Sequence, residues 1–238
     1  MVDELKIPEK IKILDRLFKI IYFDKSSEVD DRGVQSLWGL YCRYNHTIRV
    51  FKNAKSPDCE IWHTIIHETI HAITDILKIS QIDGLEDKEK ESVVNLLTIG
   101  INASLHDNKL RFDFPMDGES HEENLPKTLK ILDRQFDVVY VDKPSEVDIN
   151  GQVSLWGSYY LWRHEIRIYR KGDFAYFEVW NTIIQQVIEV IIDLLEISSI
   201  EDLGYEERLR VINQLATGLN SVMFDNHFRF DLPLSKEV

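Results

Sequence analysis

The sequence predicts an α+β protein built from two tandem repeats. Sliding the chain against itself by 118 positions aligns residues 7–115 with residues 125–233 without a gap, and 48 of the 109 aligned residues are identical. Agreement of this extent indicates an internal duplication. In each repeat, segments rich in β-branched and aromatic residues come first, and apolar residues at helical spacing follow. Each repeat is therefore expected to form a small antiparallel sheet plus two helices.

The duplication also predicts the domain organisation. We expect a first domain at residues 1–117, a polar and acidic linker at 118–124, and a second domain at 125–238. Two like domains on one chain resemble a fused homodimer, so the simplest arrangement is an intramolecular pseudo-dimer with pseudo-twofold packing.

Strands are predicted in the first part of each repeat. In the first repeat, residues 11–24 read as two short strands around a turn at Asp15 and Arg16. Residues 36–44 and 47–52 read as two more strands, joined by a tight turn at Asn45 and His46. Residues 109–114 are a candidate for a terminal strand.

Two helices are predicted to follow these strands. Apolar residues recur at steps of three and four from about residue 58 to residue 77, which is typical of an amphipathic helix. A second helix is expected at roughly 87–105, after a turn around Asp83 and Gly84. Four tryptophans that are paired between the repeats are expected to pack in the core or between the domains: Trp38, Trp62, Trp156 and Trp180.

Charge and hydropathy exclude several classes of partner. The formal net charge of −13 opposes attraction to nucleic-acid phosphates or to anionic membrane surfaces. The first residues lack the apolar stretch of a signal peptide, and acidic residues interrupt the later apolar runs. The expectation is a soluble, cytoplasmic protein that binds neither nucleic acid nor membrane.

A candidate metal site lies in the first predicted helix, in the segment "TIIHETIHAI". Residues four apart share one helix face, so His67 and His71 can direct both imidazoles at one zinc ion. Glu68 follows His67 directly, which places its carboxylate beside the ion, where it can take a proton from water. This is the general-base position of zinc hydrolases.

A catalytic zinc site needs a third protein ligand and one open position. The candidates are acids at the beginning of the second helix, and Glu91 is favoured over Glu86 and Glu89. Glu89 has an identical counterpart, Glu207, in the second repeat, so a role in the scaffold suffices for it. Glu91 is replaced there by Leu209.

The second repeat serves as an internal comparison for this site. His67, Glu68, His71 and Glu91 are replaced there by Gln185, Gln186, Glu189 and Leu209. Neighbouring apolar residues such as Ile65, Ile66 and Ile70 are identical in both repeats. The second repeat is therefore expected to keep the scaffold and to lack the metal.

The segments "TIIHETIHAI" and "ESVVNLLTIG" resemble the ImmA/IrrE-like metallopeptidases and related phage-encoded proteins. In that family the helix with two histidines is followed by a helix that begins Glu-x-x-Ala-Asn-x-Phe-Ala. The corresponding residues here are Glu91, Val94, Asn95, Leu97 and Thr98, of which Val94, Leu97 and Thr98 depart conservatively from the family residues. The glycine-containing segment "WGLYCRYNHTIRV" is also similar. The resemblance implies two zincin-like repeats, zinc held by His67, His71 and Glu91, and Glu68 as the base. The second repeat would be a degenerate copy.

Two functions remain open at the level of the sequence. The leading hypothesis is a zinc metallopeptidase that acts on a protein or peptide, with a groove along an edge strand at 47–52. The alternative is a non-catalytic protein-binding or regulatory module with a structural or vestigial metal site.

Two other polar residues on the metal-site helix are not interpreted as metal ligands: His63 is expected to be a polar residue at the lip of the site, and Asp75 is expected to have a structural role.

Overall fold

The structure is a computed structural model that describes residues 7–112, 125–170 and 175–231. Over these ranges the chain is α+β, with two four-stranded sheets and six helices divided between two similar halves. The first half contains β1 (Lys10–Ile13), β2 (Arg16–Phe23), β3 (Gly39–Cys42), β4 (Thr47–Phe51), α1 (Asp58–Leu77), α2 (Ser80–Asp83) and α3 (Asp87–Asp107). The second half contains β5 (Thr128–Ile131), β6 (Arg134–Val141), β7 (Gly157–Tyr160), β8 (Glu165–Tyr169), α4 (Tyr176–Leu194), α5 (Ser198–Glu201) and α6 (Tyr205–Asp225). The α+β class is confirmed, and the linker predicted at 118–124 lies outside the described residues.

Each sheet is mixed, whereas the sequence predicted an antiparallel one. The strand order in the first sheet is β1-β2-β4-β3, and β2 runs parallel to β4 with Ile20 opposite Ile48. The outer pairings, β1 with β2 and β3 with β4, are antiparallel. The second sheet, β5-β6-β8-β7, has the same directions. A parallel pairing is possible at the centre because residues 24–46, which connect β2 to β4, are long enough for a crossover.

The strand order places β3 and β7 at sheet edges. β4 lies between β2 and β3, so the expectation of an edge strand at 47–52 is wrong. The edge strand that packs against α1 is β3 instead. Any segment that adds to the first sheet beside α1 would therefore meet β3.

The turns and the long helices agree closely with the sequence. The β1–β2 turn is formed by Leu14 and Asp15, one residue earlier than predicted, and His46 with φ 51° lies in the β3–β4 turn as expected. Helix α1 has the predicted bounds, and α3 ends two residues later than predicted. None of the helices in the described ranges combines the length and the apolar character needed to cross a bilayer.

Two local features differ from the sequence prediction. The turn before Gly84 contains the one-turn helix α2, which is too short for its apolar periodicity to be recognised. Within the described part of residues 109–114, the predicted terminal strand is reduced to an isolated antiparallel bridge between Arg111 and Arg229. Residues 113 and 114 lie outside the described residues.

The two halves share one continuous cluster of buried side chains. Trp62 of α1 packs edge-on against Phe230 of the second half, with ring centroids 5.6 Å apart. Its counterpart Trp180 of α4 packs against Phe112 of the first half, with centroids 4.9 Å apart. Each half therefore covers the central tryptophan of the other with a phenylalanine from the segment that follows its last helix.

Hydrogen bonds between asparagine side chains and the main chain repeat this exchange between the halves. The Asn226 side chain accepts from the Lys12 N–H at 2.7 Å and donates to the Lys12 carbonyl at 2.7 Å. Asn108 accepts from the Lys130 N–H and donates to the Lys130 carbonyl, both at 2.6 Å. The residue that follows α3 or α6 thus binds the first strand of the other half.

The four paired tryptophans divide into two kinds. Trp62 and Trp180 are 1% exposed, which confirms the predicted packing role. Trp38 and Trp156 are 59% and 57% exposed, so the packing role predicted for them is wrong. Each lies directly before an edge strand, β3 or β7, and packs nearly perpendicular to an aromatic ring of the neighbouring strand, Trp38 against Phe51 and Trp156 against Tyr169.

Candidate metal centre and active site

Helices α1 and α3 bring three potential metal ligands together. His67 and His71 are one turn apart on α1, and their Nε2 atoms lie 3.1 Å from each other. Glu91, in the second turn of α3, places one carboxylate oxygen 3.3 Å from His67 Nε2 and the other 3.1 Å from His71 Nε2. The sequence therefore predicted correctly which residues come together.

The geometry of this group suits a tetrahedral ion. Ligand atoms about 2.0–2.1 Å from such an ion lie about 3.3–3.4 Å from one another. The two imidazole nitrogens lie 3.1 Å apart, and each lies 3.1 to 3.3 Å from a different Glu91 oxygen, so these contacts are close to this edge length. His67, His71 and Glu91 could therefore hold a metal ion.

One side of the group is open to solvent. The Glu91 side chain is 60% exposed, whereas the side chains of His67 and His71 are 17% and 13% exposed. Hydrogen bonds from both imidazoles hold the pKa of the Glu91 carboxyl well below its usual range. The carboxylate is therefore ionised, which is the form that binds a metal.

The competing acids lie elsewhere. The Glu89 carboxylate accepts a hydrogen bond from Ser199 Oγ of the second half at 2.5 Å. Glu86 is the residue before the first turn of α3 and is exposed. The structure places Glu91 with the histidines and gives Glu89 a contact between the halves.

Glu68 lies behind this group with its side chain buried. The residue is 6% exposed, and its Oε2 accepts the main-chain N–H of Tyr41 in β3 at 2.7 Å. Burial raises the pKa of the Glu68 carboxyl to about 7, against the opposing effects of His67 and of the Tyr41 N–H. A carboxyl with a pKa near neutrality can both accept and donate a proton.

Gly39 makes room for the Glu68 carboxylate. A Cβ atom added to Gly39 would overlap Glu68 Oε1 and lie 2.7 Å from Thr64 Cγ2. The strand and the helix can approach this closely only because position 39 has no side chain. Sequence reasoning noticed the glycine but not its contact with the candidate base.

Tyr41 and Asp75 tie β3 to α1 on the same side. Tyr41 Oη donates to Asp75 Oδ2 at 2.9 Å, and Arg43 Nη1 donates to Asp75 Oδ1 at 2.9 Å. These bonds agree with the structural role expected for Asp75. Sequence reasoning missed Tyr41, although its identity with Tyr159 in the second repeat was an available signal.

His63 lies one turn before His67 and lines the same groove. Burial and the neighbouring His67 lower the pKa of His63, while a hydrogen bond with Asn95 acts in the opposite direction. The imidazole belongs to the wall of the groove and not to the group of three ligands, as the sequence predicted.

The site opens into a groove of about 1690 Å³. Edge strand β3 forms one wall, α1 the floor, and the beginning of α3 the other wall. The loop that ends at the exposed Trp38 also lines the groove. Asp30 stabilises this loop by accepting the N–H groups of Arg32, Val34 and Gln35 at 2.8–3.0 Å.

The second half has the scaffold without this group. Where the first half has His71, it has Glu189, and burial raises the pKa of that carboxyl to about 7. Arg208 lies beside it, with Nη2 2.5 Å from Asp193 Oδ1. Among the described residues, His67, His71 and Glu91 are the only trio of this kind.

Comparison of the chain with models of protein families, with curated proteins and with solved structures finds no match. The resemblance to ImmA/IrrE-like metallopeptidases therefore rests on the motifs themselves and stays a prediction.

Proposed function

We propose that this protein is a zinc-dependent peptidase with its active site in the first half. The observation that supports the proposal most is the convergence of His67, His71 and Glu91 beside the buried Glu68. Two imidazoles and one carboxylate form a ligand set typical of catalytic zinc, and the exposed side of Glu91 leaves space for water and substrate. Zinc held there would polarise the substrate carbonyl and lower the pKa of water to about 7.

Glu68 supplies the proton transfers in this proposal. Its Oε2 is held by the Tyr41 N–H, and its Oε1 faces Gly39, so the carboxylate has one fixed orientation. Glu68 would take a proton from the attacking water and deliver it to the leaving amine. The raised pKa suits both steps, because the protonated and ionised forms are then close in free energy near neutral pH.

The edge of β3 suggests how a peptide would lie. The Trp38 carbonyl accepts from the Phe51 N–H at 2.8 Å, so by strand alternation the main-chain groups of Gly39 and Tyr41 point away from β4. The Tyr41 N–H is taken by Glu68, which leaves the Gly39 groups and the Tyr41 carbonyl for a ligand. An extended peptide could pair with them as an added strand.

We further propose that the halves are zincin-like repeats packed as a pseudo-twofold pair. Two reciprocal pairs of contacts support this: Trp62 with Phe230 and Trp180 with Phe112, then Lys12 with Asn226 and Lys130 with Asn108. In each pair the two contacts are related by the 118-residue shift of the repeat. Isologous contacts of this kind are what fusion of a symmetric dimer would leave.

Metal analysis of the purified protein tests the ligand set. We expect about one zinc per chain, lost in His71→Ala and strongly reduced in Glu91→Gln, because a site with two protein ligands binds zinc weakly. Glu89→Gln is the matched control and should keep full occupancy, since Glu89 contacts Ser199 instead. Equal zinc loss in Glu89→Gln and Glu91→Gln would contradict the assignment.

Hydrolysis of a randomised peptide pool, followed by mass spectrometry with and without a chelator, separates the two functions. Cleavage that the chelator abolishes supports the peptidase. Bound zinc without cleavage of any peptide favours the non-catalytic module.

Gly39→Ala is expected to lower peptidase activity by roughly 10²-fold, the scale of a displacement of about 1 Å in a catalytic group. The added methyl group would push the Glu68 carboxylate out of place. Gly157→Ala is the matched control in the second half, where the added Cβ would meet Thr182 Cγ2 at 2.6 Å. The measurement is kcat/KM for both variants, and an equal loss in both would show that the effect arises from the fold.

A further inference from the structure

The second half has a groove at the place that corresponds to the active-site groove. It encloses about 810 Å³ between edge strand β7, helix α4 and the beginning of α6. Gln186 lies where the first half has Glu68, and Gly157 lies against it as Gly39 lies against Glu68. The second half therefore has this groove although it lacks the three candidate metal ligands.

The floor of the groove carries buried polar atoms that have no hydrogen-bond partner among the described residues. Gln186 is 4% exposed, and neither its Oε1 nor Asn181 Oδ1 has a hydrogen-bond partner within the described part of the chain. An unsatisfied buried polar atom destabilises the folded state, so native proteins retain few of them. In the first half the equivalent Glu68 is satisfied by the Tyr41 N–H. Gln186 and Asn181 of the second half thus line the groove with carboxamide oxygens whose hydrogen-bonding capacity is unused.

One wall of the groove is a strand edge. The Trp156 carbonyl accepts from the Tyr169 N–H at 2.8 Å, and Ser158 is paired with Arg167. By the alternation of an antiparallel ladder, the main-chain groups of Gly157 and Tyr159 point away from β8. Such an edge provides N–H and C=O groups at the spacing of an extended polypeptide.

The rim of the groove presents aromatic side chains. Trp156 is 57% exposed and Tyr205, at the first turn of α6, is 76% exposed, and both line the groove. The loop before Trp156 keeps the construction of the first half, because Asp148 accepts the N–H groups of Asn150, Gln152 and Val153 at 2.9–3.1 Å. An exposed tryptophan adds little to a folded core, so its presence in both halves points to contact with a ligand.

The chemistry of the lining indicates the class of ligand. Its hydrogen-bonding groups are largely uncharged: Asn181, Gln185, Gln186, Asn213, Ser158 and Thr217. Three charged side chains also line the groove: Arg208, which is paired with Asp193, the half-buried Glu189 beside Arg208, and the exposed Glu178. A ligand matched to carboxamides, a strand edge and aromatic rings is uncharged, extended and rich in N–H and C=O groups. The polypeptide main chain has these properties.

We propose that the groove of the second half is a binding site for an extended polypeptide segment, which it holds without cleaving. The segment would pair with β7, place its N–H groups on Gln186 and Asn181, and pack side chains on Trp156. This site goes beyond the proposed hydrolysis in the first half and requires neither zinc nor Glu68.

Indole N–H signals in nuclear magnetic resonance spectra of the full chain test this site. The probe is a pool of acetylated, amidated nonapeptides with every position randomised, added in the presence of a chelator so that no cleavage occurs. We expect a saturable shift of the Trp156 signal, and an apparent Kd at least tenfold weaker in Gln186→Leu and in Asn181→Leu. Glu68→Gln, at the matched position of the first half, should leave the Trp156 response within about twofold, because peptide binding in the second groove does not involve Glu68.

Two outcomes would overturn the proposal. The first is a Trp156 signal that does not shift when the peptide pool is added, or that shifts with the same apparent Kd in folded Gln186→Leu and Asn181→Leu as in the unsubstituted protein. The second is a Trp156 signal that responds to chito-oligosaccharides but not to the peptides. Neither outcome bears on hydrolysis in the first half, because the chelated protein is used throughout. A thermal unfolding curve for each variant establishes that it is folded.

Discussion

Glu68→Gln is expected to lower kcat for peptide hydrolysis by roughly 10²–10⁴-fold, the range that a positioned general base contributes. The carboxamide keeps the size of the side chain and can still accept the Tyr41 N–H that Glu68 Oε2 accepts at 2.7 Å. It cannot take a proton from water. Zinc content should not fall, because the three candidate ligands are His67, His71 and Glu91.

The second half supplies the control for this variant. Gln186 already occupies the equivalent position, so Gln186→Glu places a carboxylate on α4, the helix that lacks the histidines. We expect no second activity from it, since a base without a metal ligand set has no activated water to act on. Steady-state kinetics and zinc analysis of both variants are the measurements. Undiminished kcat in Glu68→Gln would exclude Glu68 as the base.

The long helices and the metal group could be predicted because their signals are local or are repeated in the chain. Helix α1 carries an apolar pattern over 20 residues, and the spacing of His67 and His71 fixes their common face. Glu91 was chosen over Glu89 by comparing the repeats, and Glu91 is the acid beside the histidines in the structure. In a duplicated chain, comparison of the repeats therefore separates residues that the common scaffold requires from residues that only one repeat uses.

The sheet and the surroundings of Glu68 could not be predicted in the same way. Alternation of buried residues such as Phe18 and Ile20 has the same period in parallel and antiparallel strands, so it does not specify the direction of the β2–β4 pairing. The bond from the Tyr41 N–H to Glu68 uses the main chain, which carries no residue-specific signal.

The exposed tryptophans gave a misleading signal. Identity between the repeats suggested packing for Trp38 and Trp156, but identity is equally expected of side chains that both grooves present to ligands. The comparison between repeats separates metal ligands from scaffold because only one repeat has the ligands. It cannot separate packing from binding where both repeats keep the residue.

Trp62→Ala is expected to destabilise the whole chain by about 3–5 kcal/mol, the usual cost of truncating a large aromatic residue in a core. Trp62 is 1% exposed and lies against Phe228 and Phe230 of the second half, with ring centroids 5.1 and 5.6 Å away. For a chain of this size, the corresponding fall in Tm is roughly 6–20 °C. Because the buried cluster is continuous across the halves, both should unfold in one transition at the lower temperature.

Two variants make this result specific to the contact between the halves. Trp38→Ala removes a tryptophan that is 59% exposed and should change stability by only about 0.5 kcal/mol. Trp62→Phe keeps a ring against Phe228 and removes the buried Nε1–H, which has no partner among the described residues, so its cost in stability should lie well below that of Trp62→Ala.

Calorimetry gives Tm, and hydrogen exchange of α1 and α6 reports each half separately. If Trp62→Ala lowered protection in α1 and left α6 unchanged, the halves would be stable independently, and the Phe230 and Phe112 contacts would add little to the fold. Equal loss of protection in both helices is the result that one shared core requires.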